Sequence, residues 1–199
     1  MAGKVLTQKF FNKPALKVAE ELLGKYLVRR YRGKNISAII TEVEAYDGPS
    51  DKGSHASRGM TTRNKIMFGS AGRWYIYFTY GIHWMVNIVT GKEGYPAAVL
   101  IRGVEGIHPV RNLARAVRAP KGPMGRAIYN GINGPARVTK FFHIDKKLNG
   151  KMADKRSELW IEDRGIRIKK SEIKKYPRVG IDYAGPIWSK KPYRFSIER

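Results

Sequence analysis

Ile36-Ser37-Ala38-Ile39-Ile40-Thr41-Glu42-Val43-Glu44-Ala45-Tyr46 reads as a long β-strand, and its reading decides the fold. Side chains alternate across a strand. Strict alternation puts Ile39, Thr41, Val43 and Ala45 on one face and Glu42, Glu44 and Tyr46 on the other. Two carboxylates and a tyrosine thus line up at the end of the strand. The chain then runs into Asp47–Arg63, a loop rich in Gly, Ser, Asp and Thr, and loops of this kind tend to carry sites.

Working outward, Tyr26–Tyr31 reads as the preceding strand, joined through the turn Arg32-Gly33-Lys34-Asn35. Before it, Asn12 can cap a helix with Pro14 in its first turn. Leu16, Ala19, Leu22 and Leu23 form the apolar face of that helix, and Gly24 stops it. After the loop, Arg73–Thr90 reads as a hairpin with its turn near Gly81, and Ala97–Val104 as a further strand ending close to Arg102. The stretch from His108 to Arg126 is basic and partly helical, broken by Pro120, Gly122 and Pro123. Gly134-Pro135 precedes a helix over Ala136–Phe142. Leu159–Ile161 is expected to pair with Ile166–Ile168 across Asp163-Arg164-Gly165, and Arg178–Ala184 and Tyr193–Ile197 read as closing strands. No internal repeat and no linker is visible. The pattern predicts a mixed α+β class and one domain over residues 1–199.

The composition bounds the partner. The chain has 199 residues, with 39 Lys+Arg against 16 Asp+Glu, a formal net charge of +23. A sequence pI near 10.3 favours a phosphate-rich partner, with an anionic membrane surface as the competing reading. The 42% hydrophobic content is enough for a core and argues against global disorder. No amphipathic basic helix stands out, and apolar runs such as Ala97–Ile101 are strand-sized. Met1–Thr7 has no apolar segment of signal-peptide length, so an intracellular location is expected. The absence of cysteine excludes disulfides, thiolate metal sites and Cys nucleophiles. His55, His83, His108 and His143 are scattered without zinc-ligand spacing, and there is no Walker-type phosphate loop. Neither a metal nor another cofactor is expected.

Several residues can carry chemistry. Glu42 and Glu44 could be solvated strand residues paired with Lys or Arg. In a partly closed pocket, either could instead activate water or stabilise a positive sugar-like transition state. Spacing leaves the choice open. Trp74–Trp84 holds six Trp, Tyr and Phe residues, and alternation puts Tyr75, Tyr77 and Thr79 opposite Trp74, Ile76, Phe78 and Tyr80. Trp74, Ile76 and Phe78 read as core. Tyr80 abuts Gly81 at the turn, where a large side chain can wedge between base pairs. A lone loop histidine such as His55 is more often a surface residue than a catalytic one. Asn87 needs a hydrogen-bond partner if buried, or could read a base edge. Arg102 is either an ion-pair partner or a phosphate ligand. Arg58, Arg63, Lys65, Arg73 and the Arg111–Arg126 segment could line a DNA track.

Taken together these residues resemble the alkyladenine (3-methyladenine) DNA glycosylase family. The resemblance is carried by Thr41-Glu42-Val43-Glu44-Ala45-Tyr46, Gly48-Pro49, His55, Thr62-Arg63-Asn64 with Met67-Phe68, Tyr75-Ile76-Tyr77, Tyr80-Gly81 and Asn87. Phe10-Phe11-Asn12-Lys13-Pro14-Ala15, Leu100–Glu105, Gly134-Pro135 and Arg178-Val179-Gly180-Ile181 near Lys191-Pro192 extend it from about Gln8 to Phe195. The resemblance implies a curved antiparallel sheet with surrounding helices and a protruding hairpin that presses into the DNA minor groove. It implies Glu44, not Glu42, as the water-activating base. It also implies Tyr46, Tyr77, His55 and Asn87 around the extruded base, Tyr80 as the intercalating residue, and Arg63, Arg102, Ile82 and His83 as DNA contacts. Ile82 and His83 stand where some relatives carry Met and Tyr, and Arg111–Arg126 matches poorly.

The expected activity is monofunctional hydrolysis of damaged purines from double-stranded DNA by a monomer, leaving an abasic site. Nothing singles out Lys52 as a desolvated Schiff-base lysine. Two alternatives remain. One is a non-catalytic nucleic-acid-binding module. The other is a magnesium-dependent nuclease using Glu42, Glu44, Asp47 or Asp51.

Overall fold

The computed structural model describes residues 3–106 and 131–197; the basic Arg111–Arg126 segment lies outside them. Its first elements are β1 (Lys4–Val5), α1 (Gln8–Phe11), α2 (Ala15–Leu22), β2 (Tyr26–Tyr31) and β3 (Lys34–Asp47). The expected helix is present, but Asn12 does not cap it. Asn12 closes α1, and Pro14 stands at the start of α2 with φ −51° and ψ 141°. Proline disfavours helical backbone in the residue before it, so Lys13 cannot continue the helix and the segment splits in two. Ala15, Val18, Ala19 and Leu22 are the buried face of α2.

The remaining elements are β4 (Trp74–Thr79), β5 (His83–Val89), β6 (Ala97–Glu105), β7 (Ile132–Asn133), α3 (Pro135–Phe141), β8 (Leu159–Asp163), β9 (Lys174–Tyr176), α4 (Gly185–Lys190) and β10 (Arg194–Ser196). The main sheet runs β1-β8-β2-β3-β6-β5-β4. Among the described residues every strand pair is antiparallel. β3 is long enough to pair with β2 through its first half and with β10 over Glu42–Glu44. The sheet curls into a half-barrel. The concave core, with α2 and α3 against it, is filled by Phe11, Leu22, Val43, Trp74, Ile101 and Phe142 among others. A smaller cluster of Met67, Tyr75, Val89 and Ala98 lies on the other face of the sheet.

The faces of β3 depart from strict alternation. The core side chains are Ile36, Ala38 and Ile40, then Val43 and Ala45. The phase changes at Thr41–Glu42, where the register with β6 shifts on both sides of Glu42. β6 changes phase at the same level, with Ala97, Val99 and Ile101 in the core and then Val104. Ile39 and Thr41 are therefore not on the Val43 face. Beyond the bulge, Glu42, Glu44 and Tyr46 share a face as expected.

Two expected strands are absent. Ile166–Ile168 does not pair with Leu159–Ile161, because β8 is already flanked by β1 and β2. Arg178–Ala184 is a loop ending in a 3-10 turn over Asp182–Ala184, preceded by Pro177. The strand that pairs with β10 is β9, just before that proline.

The β4–β5 hairpin is as expected. Thr79 pairs with His83, leaving Tyr80-Gly81-Ile82 as the tip. Tyr80 and Gly81 are left-handed, at φ 51° and 67°. Glycine adopts this backbone freely and tyrosine at some cost. Phe78 is a correction: it is exposed rather than core, and its ring lies 4.6 Å from that of Trp84.

Candidate active site

Four strands present one row of side chains to the outer face of the sheet. Glu44 on β3 stands opposite Leu100 on β6, Leu100 opposite Asn87 on β5, and Asn87 opposite Tyr75 on β4. All four line one cavity of about 460 Å³, together with Tyr46, His55, Tyr77, Arg63, Tyr80 and Arg102. The roof and far wall come from the 47–69 loop and the Val179–Tyr183 segment.

Glu44 is completely buried. Its Oε1 accepts from the Val179 backbone N–H at 2.9 Å and lies 3.4 Å from Arg102 Nη1. Its Oε2 accepts from the Tyr46 hydroxyl at 2.9 Å. Burial pushes the Glu44 carboxyl up from its ordinary value, while Arg102, the Val179 amide and Tyr46 oppose that shift. Glu42 differs. Its Oε1 accepts from Arg102 Nε at 3.2 Å and Arg194 Nη1 at 2.8 Å, so it is an ion-pair partner for two guanidiniums. Arg102 therefore bridges both glutamates, which is the ion-pair alternative for that residue.

The aromatic walls are held from behind. His55 Nδ1 lies 2.9 Å from the Tyr75 hydroxyl, and its ring meets Tyr77 edge-on at 4.6 Å. His55 keeps an exposed face, yet its packed surroundings, with a smaller effect from Arg63, lower its imidazole to about 4. It is neutral at physiological pH. Burial likewise raises Tyr46 and Tyr77 above the ordinary tyrosine value and Tyr75 to about 12, so all three are neutral phenols. Arg63 sits 5.0 Å over the Tyr77 ring and donates to Phe78 O at 3.0 Å, bracing the hairpin. Asn87 is buried and donates to Tyr75 O at 3.1 Å. Tyr80 stands at the mouth, 83% exposed. Ile82 and His83 are not part of this cavity; they line a second one of about 660 Å³ on the α3 side of the hairpin.

Sequence reasoning missed the frame. Arg178 and Asp51 form a fully buried bidentate ion pair at 2.5 and 2.7 Å. Asp51 also accepts from the Asp47 and Gly53 amides. Arg178 also donates to Ala45 O and stacks 4.7 Å from the Tyr46 ring. The pair ties the 47–55 loop to the segment whose Val179 amide holds Glu44. Arg178 stands within the Arg178-Val179-Gly180-Ile181 motif, but in a chain with this many arginines nothing local assigns it this role. Asn64, within the Thr62-Arg63-Asn64 motif, is a second such residue. It is buried, donates to His55 O and Gly59 O, and accepts from the Thr61 amide. The acids considered as nuclease ligands do not converge: Asp51 is committed to Arg178 and Glu42 to Arg102 and Arg194. Among the described residues no group of three His, Asp or Glu could hold a metal ion.

The cavity thus has neutral aromatic walls, a buried carboxylate at its floor and an exposed tyrosine at its lip. The chain belongs to the methylpurine-DNA glycosylase (MPG) family, whose description matches residues 9–199. It is 41% identical to a protein of Methanocella arvoryzae over 96% of this chain and 91% of that one. It is 39% identical to one of Streptomyces avermitilis, over 97% and 87% of the two chains. It is 40% identical to one of Alkaliphilus oremlandii, over 97% and 95%. All three carry the name "Putative 3-methyladenine DNA glycosylase".

Proposed function

We propose that this protein is a monofunctional DNA glycosylase of base excision repair. It flips alkylated or deaminated purines out of duplex DNA and hydrolyses the N-glycosidic bond. The substrate class is 3-methyladenine, 7-methylguanine, hypoxanthine and ethenoadenine. The observation that carries this reading is the burial of Glu44 on the floor of a cavity walled by Tyr46, Tyr77 and His55. A base must leave the stack before such a carboxylate can reach its sugar.

In this reading Tyr80 fills the gap left by the extruded nucleotide, and the basic surface holds the backbone. Tyr46 and Tyr77 face the flipped purine, His55 meets it as a neutral imidazole, and Asn87 crowds the position of a guanine 2-amino group. Glu44 in its ionised form takes a proton from water, which attacks C1′, and offsets positive charge on the sugar. The bond to the purine nitrogen breaks and the base departs with the bonding electrons. A 3- or 7-alkylated purine is already cationic and leaves without a further proton, whereas neutral hypoxanthine or ethenoadenine must gain a proton as it leaves. Arg102, bound to Glu42 and Glu44, holds the carboxylate rather than a phosphate.

The test is base release in EDTA from duplexes carrying hypoxanthine or ethenoadenine and from methylated DNA. Wild type and Glu44→Gln are compared before and after alkali. Free base with alkali-dependent strand breaks is expected from wild type, with release reduced about 10²–10⁴-fold in the variant, the usual range for a general base. Lesion binding without release from any substrate would support the binding-module reading. Direct strand breaks that require magnesium would support a nuclease.

A further inference from the structure

The hairpin tip separates two cavities. Tyr80 borders the lesion cavity, whereas Ile82, 68% exposed, borders the second. The second cavity is walled by Tyr31, Trp84 and the outer side of α3, which contributes Arg137 and Lys140. His83 and His143 also line it, and the His143 ring stacks on Tyr31 at 4.2 Å and 10°. Arg32 stands 5.3 Å from the same Tyr31 ring. Among the described residues the only acid in its lining is Asp145, whose Oδ1 already accepts from the Lys147 amide. Arg137 and Lys140 are exposed and carry no ion pair among the described residues.

This cavity is broader than the lesion cavity and lacks a buried carboxylate, so it suits a chain passing across it rather than an enclosed base. Its cations match phosphates. A ridge that enters a groove has one strand on each side. With the lesion strand against the Glu44 cavity, the partner strand falls on the α3 side. We infer that the Arg137–Lys140 cavity binds the phosphodiester backbone of the strand opposite the lesion. It thereby gives the protein a preference for duplex over single-stranded DNA. This inference rests on the reading of Tyr80 as a wedge in duplex DNA.

The experiment measures binding of wild type, Arg137→Ala/Lys140→Ala and a control, Lys169→Ala/Lys170→Ala, across a salt series. The control lies away from both cavities, with Lys170 on a third groove beside Phe10. Probes are an undamaged duplex and the single strand of the same sequence. Losing two duplex phosphate contacts lowers the slope of log affinity against log salt by about 1.8, at about 0.9 per contact. That drop is expected on the duplex for the Arg137/Lys140 variant only, with the single-strand slope unchanged. An equal drop on both probes, an equal drop in the control, or no drop at all would overturn the inference. Base release by the wild type is scored separately. A protein that releases no base but shows the duplex-specific change fails the glycosylase reading and retains the second-strand contact.

Discussion

Replacing Arg178 with Ala should be among the most damaging single changes in the protein, and its size follows from burial. Arg178 and Asp51 are both fully inaccessible, joined by two hydrogen bonds of 2.5 and 2.7 Å. Removing one partner of such a pair leaves an uncompensated buried charge, which costs about 3–5 kcal/mol. Asp51 would keep the Asp47 and Gly53 amides, which places the loss toward the lower end. At about 2–4 °C per kcal/mol for a chain of this size, the melting temperature should fall by roughly 6–15 °C. The replacement Arg178→Met with Asp51→Asn removes both charges of the pair while the Asn Oδ1 still accepts from one of those amides, and should recover part of that loss, because buried ion pairs add little over uncharged packing of similar volume. Recovery of stability need not restore base release, since the Ala45 carbonyl and Tyr46 ring lose their Arg178 contacts in both variants. Urea denaturation of the three proteins reads the comparison. A loss below about 1 kcal/mol in Arg178→Ala would refute the argument, as would a double variant no more stable than the single one.

Three further outcomes are expected. Glu44→Gln should be more stable than wild type at neutral pH, because burial raises the folded-state carboxyl above its unfolded value near 4.5 and ionising it there opposes folding. The penalty is absent below the unfolded value and complete above the folded one, so the advantage must shrink as pH falls from 8 to 4; a constant or growing difference in denaturation midpoint would contradict the assignment. Tyr80→Ala should retain the fold, since the side chain is largely exposed, yet lower single-turnover base release at limiting protein about tenfold or more, as losing a wedge worth a few kcal/mol requires. Unchanged release at limiting protein would remove the wedge role. Asn64→Ala leaves the His55 and Gly59 carbonyls and the Thr61 amide without their buried partner, at a cost of about 1–3 kcal/mol; hydrogen exchange should then rise across residues 55–64 before it rises in β6, and uniform protection would count against this hub.

Legibility in the sequence followed the range of the interactions. The β4–β5 hairpin was readable because its pairing is local, and the tip Tyr80-Gly81-Ile82 is fixed by two residues in left-handed backbone. The outward face of Glu44 and Tyr46 was likewise readable from alternation within a few residues. Arg178 was not, because its partner Asp51 is 127 positions away and a lone arginine has no distinguishing pattern in so basic a chain. The absent Ile166–Ile168 strand failed for a related reason: its apolar residues fit a strand, but both edges of β8 are taken by β1 and β2, from the opposite end of the sequence. Ile82 and His83, expected as DNA contacts, adjoin Tyr80 in sequence yet line a different cavity from it. A hairpin tip has two sides, and three residues are enough to cross it.

The bulge at Thr41–Glu42 links fold to chemistry. In the first half of β3 the even-numbered residues Ile36, Ala38 and Ile40 point into the core. Continued without interruption, the same alternation would send Glu42, Glu44 and Tyr46 after them, driving two carboxylates among Val99, Ile101 and Trp74. The phase change instead gives Val43 and Ala45 to the core and turns Glu44 to the outer face. Because β6 changes phase at the same level, the pairing resumes its earlier register and Glu44 meets Leu100. That pairing aligns the row through Asn87 to Tyr75, so the carboxylate on β3 and the Tyr75–Tyr77 wall on β4 come from strands separated by β6 and β5 yet share one cavity. Gly103 supports the arrangement: a Cβ there would lie 2.9 Å from the Glu42 side chain and 3.3 Å from Thr41 Oγ1. Bulges often re-aim a side chain beside an active site. Here the paired irregularity is the reason a continuous core strand can deliver a buried acid to the opposite side of its sheet.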